Sequence, residues 1–120
     1  MGKTTVIIES PYKGNRELNK EYAQAAMLDS LTRGEAPFLS HLLYTQVLED
    51  SIPEQRTLGI EAGLQFGRLC HKTVVYTDLG ISNGMWQGIE SAIDHDRPVE
   101  YRSLPQYAKA NKKTEIRQQK

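Results

Sequence analysis

TTVIIESPYKGN, residues 4–15, passes from an apolar, β-branched run into polar chemistry within a few positions. Residues 4–9 are short and branched at Cβ, which suits a central strand buried on both faces. A carboxylate, a hydroxyl and a phenol (Glu9, Ser10, Tyr12) close the run, then Lys13-Gly14-Asn15, with Asn15 placed to cap a helix. A strand end tolerates almost any polar neighbour, so Glu9, Ser10 and Tyr12 either close a turn or face a ligand, and the rest of the chain decides between the two.

Working outward, Leu18, Tyr22, Ala25, Ala26 and Leu31 form a helical apolar stripe that ends at Arg33-Gly34, a basic residue followed by a C′ glycine. In APFLSHLLYTQVLED, residues 37–39 read as a short strand, and Leu42, Leu43, Val47 and Leu48 as a loop or brief helix. Pro53-Glu54 opens a helix running to about Cys70. Within it Gly59, Gly63 and Gly67 share one face and predict close packing against another helix, the sheet or a second copy of the chain. Residues 72–77 form the next strand. Ser82 or Asn83 caps a helix whose inner face carries Met85, Ile89, Ala92 and Ile93 beside Trp86, and residues 97–102, RPVEYR, form a last strand. Alternating strands and helices of this kind predict an α/β, Rossmann-like three-layer domain over residues 1–104, with a mostly parallel sheet of four to five strands and helices on both faces. The tail, residues 105–120, is polar and is expected to be frayed or to lie against a partner.

With 15 basic and 15 acidic residues, the chain has no net field to hold duplex nucleic acid. The lone Cys70 has no internal disulfide partner, and MGKTTVII is too short an apolar run for a signal peptide or a membrane span. A cytoplasmic protein is expected, in the host cytoplasm if the chain is phage-encoded, with no membrane partner. His71 and His95 lack the companion spacing of a metal site, so neither metal nor cofactor is expected.

In an open parallel sheet the ligand crevice lies beyond the carboxyl ends of the strands. Two clusters fall there and supply the candidate ligand contacts. Ser10, Pro11, Tyr12, Gly14 and Asn15 follow the first strand; Asp78, Gly80, Ser82, Asn83, Gly84 and Met85 follow the strand at 72–77; and His41 lies between them in sequence. Each cluster precedes a helix N-terminus, whose free N–H groups favour an anionic group such as a phosphate. No Walker loop and no GxGxxG turn is present.

Four segments, SPYKGN, PFLSHLL, DLGISNGMWQGIESA and the closing RPVEYR, together resemble the nucleoside 2-deoxyribosyltransferase-like group, particularly its small phage and bacterial members of unassigned function. The resemblance spans roughly residues 4–104. It implies an oligomeric Rossmann-like domain that binds a nucleoside or nucleotide between the first-strand loop and the Gly-Met helix. Members that are enzymes break an N-glycosidic bond with a carboxylate nucleophile at the start of that helix. In this sequence Gly88 stands at the matching position, and Glu90 is displaced by two residues, about 200° around a helix. Glu9, Asp78 and Glu90 are therefore the candidate catalytic carboxylates, with Glu9 reaching the crevice from the opposite wall. If Glu9 lay near Asp78, their repulsion would raise one pKa. Three functions are compatible with this pattern: binding of a nucleoside, nucleotide or ADP-ribose-type ligand, including sequestration of a signalling nucleotide; N-glycosidic cleavage or deoxyribosyl transfer; or a non-catalytic interaction role.

Overall fold

A computed structural model describes residues 2–107. Four strands, β1 (Thr5–Glu9), β2 (Ala36–Phe38), β3 (Lys72–Tyr76) and β4 (Val99–Arg102), form one sheet in the order β2-β1-β3-β4. Every pairing is parallel, with Ile7 opposite Phe38 on one side and Glu9 opposite Val75 on the other. The helices are α1 (Arg16–Thr32), α2 (Ser40–Leu43), α3 (Pro53–Arg68) and α4 (Asn83–Asp94), and a 3-10 turn at Tyr44–Gln46 follows α2. The architecture is the expected three-layer α/β, Rossmann-like arrangement. Pro37 falls on the edge strand β2, where a missing N–H costs no inner ladder bond.

Alternation along β1 sorts its side chains between the two outer layers. Val6 and Ile8 join Val74 and Tyr76 against Tyr22, Ala23 and Ala26 of α1. On the other face Val75 packs on Met85 and Ile89 of α4. Ile7 lies under Gly67 of α3, where an added Cβ would sit 3.4 Å from its Cδ1. Glu9, two residues after Ile7, points to this α3–α4 side.

Local sequence explains the boundaries. Asn15 Oδ1 accepts from the Leu18 N–H at 3.2 Å and starts α1. At its other end Gly34 takes φ +85, so that Glu35 N–H reaches Ser30 O at 3.2 Å and Gly34 N–H reaches Leu31 O at 3.0 Å. The buried stripe of α1 is Asn19, Tyr22, Ala23, Ala26 and Ser30, rotated from the apolar stripe, and Leu31 is 47% exposed. Two polar residues are buried because they are satisfied. Asn19 donates to the carbonyls of Tyr12 and Lys13, and Ser30 donates to Glu35. On α4, Ile93 is likewise 65% exposed, and Gly88 takes the inward position that an apolar count passes over.

The glycine face of α3 meets α2 and the sheet. A Cβ at Gly63 would lie 2.7 Å from Ser40 Oγ, and one at Gly67 would lie 3.2 Å from Arg97 Nη2. Strand β4 begins at Val99, because Asp96 has φ +54 and Arg97 turns inward, its Nε donating to Thr73 Oγ1 at 2.8 Å. On the α1 face Arg102 clasps Glu35 through two bonds, 2.8 and 2.6 Å, and this ion pair is buried. The start of the expected tail is anchored: just after the buried Leu104, the Tyr107 ring meets Tyr22 edge-on at 4.8 Å. Residues 108–120 of that tail lie outside the described residues.

Candidate active site

The chain leaves β1 for β2 on one side and later enters β3 on the other, so the sheet has its switch point between β1 and β3. A cleft of about 540 Å³ opens there, a size suited to a small organic ligand. Its walls come from the β1 end, the α2 region, one face of α3 and the start of α4.

Glu9 lies on the floor. A Cβ built on Gly88 would be 2.2 Å from Glu9 Oε2 and 2.5 Å from Cδ, so the carboxyl occupies the volume that any side chain at position 88 would fill. The residue keeps partial access through the cleft, yet burial pushes its carboxyl up to about 8, opposed by the nearby Arg97 guanidinium. Among the described residues no group donates a hydrogen bond to this carboxyl. Arg97 is itself buried, and its Nη1 has no hydrogen-bond partner among the described residues. A carboxyl in this setting holds its proton to higher pH than an ordinary carboxylate and has a fixed countercharge behind it once it ionises.

Next to Glu9, the buried Ser10 Oγ and His41 Nε2 share a hydrogen bond of 2.7 Å, which ties the β2–α2 segment to the end of β1. Burial lowers the His41 pKa to about 4, so the ring is neutral at physiological pH. From the facing wall, Ser82 caps α4 by accepting from the Met85 N–H at 3.3 Å, while its own N–H points at the Met85 sulfur. Asn83 and Gly84 follow in the first turn of this helix and line the cleft with Met85.

The structure thus gathers Glu9, Ser10, Tyr12, His41, Ser82, Asn83, Gly84 and Met85 around one space. Other candidates stand elsewhere. Pro11 is buried in the turn, Asn15 is spent on capping α1, Gly80 shapes a turn at φ +89, and Gly14, at φ +97, lines an adjoining groove. Asp78 faces the α1 side. Its carboxylate accepts from Tyr22 at 2.8 Å, Ser103 at 2.5 Å and the Leu104 N–H at 2.7 Å, and it does not line the cleft. The elevation of Glu9 therefore comes from burial and not from Asp78. Glu90 is exposed on α4 and outside the cleft, as its offset from Gly88 predicts. Sequence reading missed the α3 wall, where Gly59, Ile60, Gly63 and Leu64 bring the helix close. The glycine spacing along α3 is the signal in the sequence that marks this wall. Among the described residues no group of three or more His, Cys, Asp or Glu side chains is placed to hold a metal, and no helix is long and apolar enough to cross a membrane.

Fold and cleft together define a small Rossmann-like α/β domain with a carboxyl-bearing pocket at the strand ends. The chain belongs to the family described as Domain of unknown function (DUF7768), whose model matches residues 4–102. Among solved structures it is similar to a 2-deoxyribosyltransferase from the psychrotolerant bacterium Bacillus psychrosaccharolyticus. That likeness has a TM-score of 0.68 at 16% identity, covering 83% of this chain and 72% of the other, and it supports the nucleoside 2-deoxyribosyltransferase-like fold. No curated protein matches the chain.

Proposed function

We propose that the cleft binds a nucleoside or nucleotide, with Glu9, Ser10 and His41 on one side and the first turn of α4 on the other. The observation that carries this reading is the Glu9 carboxyl: partly desolvated, without a donor among the described residues, and facing a cleft at the switch point of the sheet. Withdrawing such a group in part from water is costly, and a ligand that exchanges hydrogen bonds with it recovers part of that cost. Protonated Glu9 donates to a ring nitrogen or hydroxyl of the ligand; Ser10 and Asn83 supply hydroxyl and amide groups, and Tyr12 an aromatic face.

A second reading, N-glycosidic cleavage, is favoured by the contact between Glu9 and Gly88. Glu9 reaches from β1 into the space beside α4 where the family resemblance puts a carboxylate nucleophile. Ionised Glu9 would attack the anomeric carbon, forming a C–O bond as the C–N bond breaks. The base leaves with the bonding pair and takes a proton from solvent, and a water or a second base, giving up a proton to solvent, then displaces Glu9 as the carboxylate. Arg97 favours the ionised form that this step requires.

Small molecules released from purified protein, identified by mass spectrometry, and incubations with nucleosides analysed for free base separate the two readings. A nucleoside-type ligand without free base supports binding alone. Free base that disappears in Glu9→Gln supports cleavage, and a protein that carries and cleaves none leaves the interaction role. We further propose a homo-oligomer in which Phe66, Leu69 and residues 41–48 contribute to the contact; Leu69 is 72% exposed, and Phe66 stacks on Phe38 at 4.6 Å. A monomeric mass in light scattering at tens of micromolar counts against it.

A further inference from the structure

The cleft does not end at Lys13. A second groove of about 840 Å³ continues from it, and the two share Lys13, Asp50, Arg56, Ile60 and Gln87 along their common border. The groove differs from the cleft in its charge. Lys13, Arg16 and Arg56 line it against two carboxylates, Asp50 and Glu61. Asp50 is engaged by Arg56 at 3.6 Å, whereas neither Lys13 nor Arg16 forms an ion pair among the described residues. Arg16 instead lies over the ring of Tyr12, 5.3 Å from its centroid, which fixes a cation beside a residue of the main cleft.

Helix geometry adds to this field. Arg16 is the first residue of α1 and Pro53 the first of α3, helices of 17 and 16 residues, and both residues line the groove. Two helix N-termini therefore open onto it with their positive dipole ends, each beside a first-turn carboxylate, Glu17 or Glu54; Pro53 has no N–H, so the free donors of α3 are those of Glu54 and Gln55. The capping residue of α3, Ile52, has no side-chain oxygen to satisfy those donors. Unpaired cations, a guanidinium held in place by an aromatic ring and two long helix starts form a setting for an anion, on a groove continuous with the proposed nucleoside pocket.

We infer that the groove holding Lys13, Arg16 and the start of α3 takes the phosphate of a nucleoside 5′-phosphate whose sugar and base lie in the adjoining cleft. The ligand is then a nucleotide in preference to the bare nucleoside. This rests on the cleft binding a nucleoside unit as proposed above.

Matched pairs test it: each common ribo- and deoxyribonucleoside and its 5′-monophosphate, titrated calorimetrically against the full chain, with inorganic phosphate as a third probe. The 5′-monophosphate of at least one pair should bind ten- to a hundredfold more tightly than its nucleoside. That ratio should shrink as salt is raised from about 50 to 500 mM, because the groove is open to solvent. In Arg16→Gln and in the Lys13→Gln, Arg16→Gln double variant the ratio should fall towards one. Both positions are exposed, so folding is not at stake. Arg16→Lys should keep part of the preference. Equal affinity within every pair that binds overturns the phosphate subsite and leaves the nucleoside pocket standing. So does a preference that survives the double variant. Absence of binding by every nucleoside and every monophosphate overturns the pocket itself and the subsite with it, even if inorganic phosphate binds.

Discussion

Replacing Glu9 by Gln keeps the shape of the side chain that fills the space beside Gly88 and removes its titration. In the folded chain burial raises the Glu9 carboxyl from 4.5 to about 8, while Arg97 opposes the rise. Between those two values the folded protein holds a proton that the unfolded chain has already released. Rising pH across this window therefore favours unfolding, and the whole cost is present above about pH 8. At 1.36 kcal/mol per pH unit the interval sets a ceiling of about 4 to 5 kcal/mol. Water reaching the carboxyl through the cleft relieves part of it, which leaves an expected cost of about 1 to 3 kcal/mol at pH 9. Urea denaturation of wild type and Glu9→Gln at pH 5, 7 and 9 reads this directly. The two should agree within about 0.5 kcal/mol at pH 5 and separate progressively towards pH 9, with the variant the more stable. Parallel stabilities from pH 5 to 9 would refute a desolvated Glu9.

Further outcomes rest on the same contacts. Gly88→Ala puts a methyl group 2.2 Å from Glu9 Oε2, so the carboxyl must swing into the cleft. Its pKa should return towards 4.5 in side-chain NMR while the helix gains up to about 1 kcal/mol of propensity, and ligand affinity should fall at least tenfold. A carboxyl still titrating near 8 would show that α4 moves instead. Asp78→Asn should cost about 1 to 3 kcal/mol in denaturation, because an amide donor then faces the donors of Tyr22, Ser103 or Leu104. Glu90→Ala, on the exposed side of α4, should change stability by less than about 0.5 kcal/mol and leave ligand affinity and any turnover intact.

The parts of the fold legible in the sequence are those in which local and tertiary preferences agree. Branched residues in β1 and β3, Asn15 before α1 and Gly34 after it each state their role by chemistry alone, Ser82 and Asn83 offer two caps for α4, and together they frame the parallel sheet. Strand order was not readable, because no local signal says that β2 pairs with the outer side of β1. Apolar counting missed the register of α1, since Asn19 and Ser30 are buried through hydrogen bonds that depend on partners outside the helix. In the site, Glu9 and the α4 start were visible as polar groups at strand and helix ends. Asp78 looked equivalent to Glu9, but its carboxylate turns to the α1 side and is consumed there by Tyr22, Ser103 and Leu104. Gly88 showed only the absence of a side chain; that a carboxyl from a different element fills the gap is a tertiary fact. The α3 wall was hidden because glycines that permit close packing and glycines that open a cleft leave the same pattern.

The most direct test is an NMR titration of isotopically labelled protein with the nucleosides and their 5′-monophosphates, following backbone amides at near-millimolar ligand. Shifts should saturate and concentrate at Glu9, Ser10, His41, Asn83 and Gly88 for at least one compound. A spectrum unchanged by every compound, or saturating shifts confined to residues outside the cleft, would contradict a nucleoside site built around Glu9.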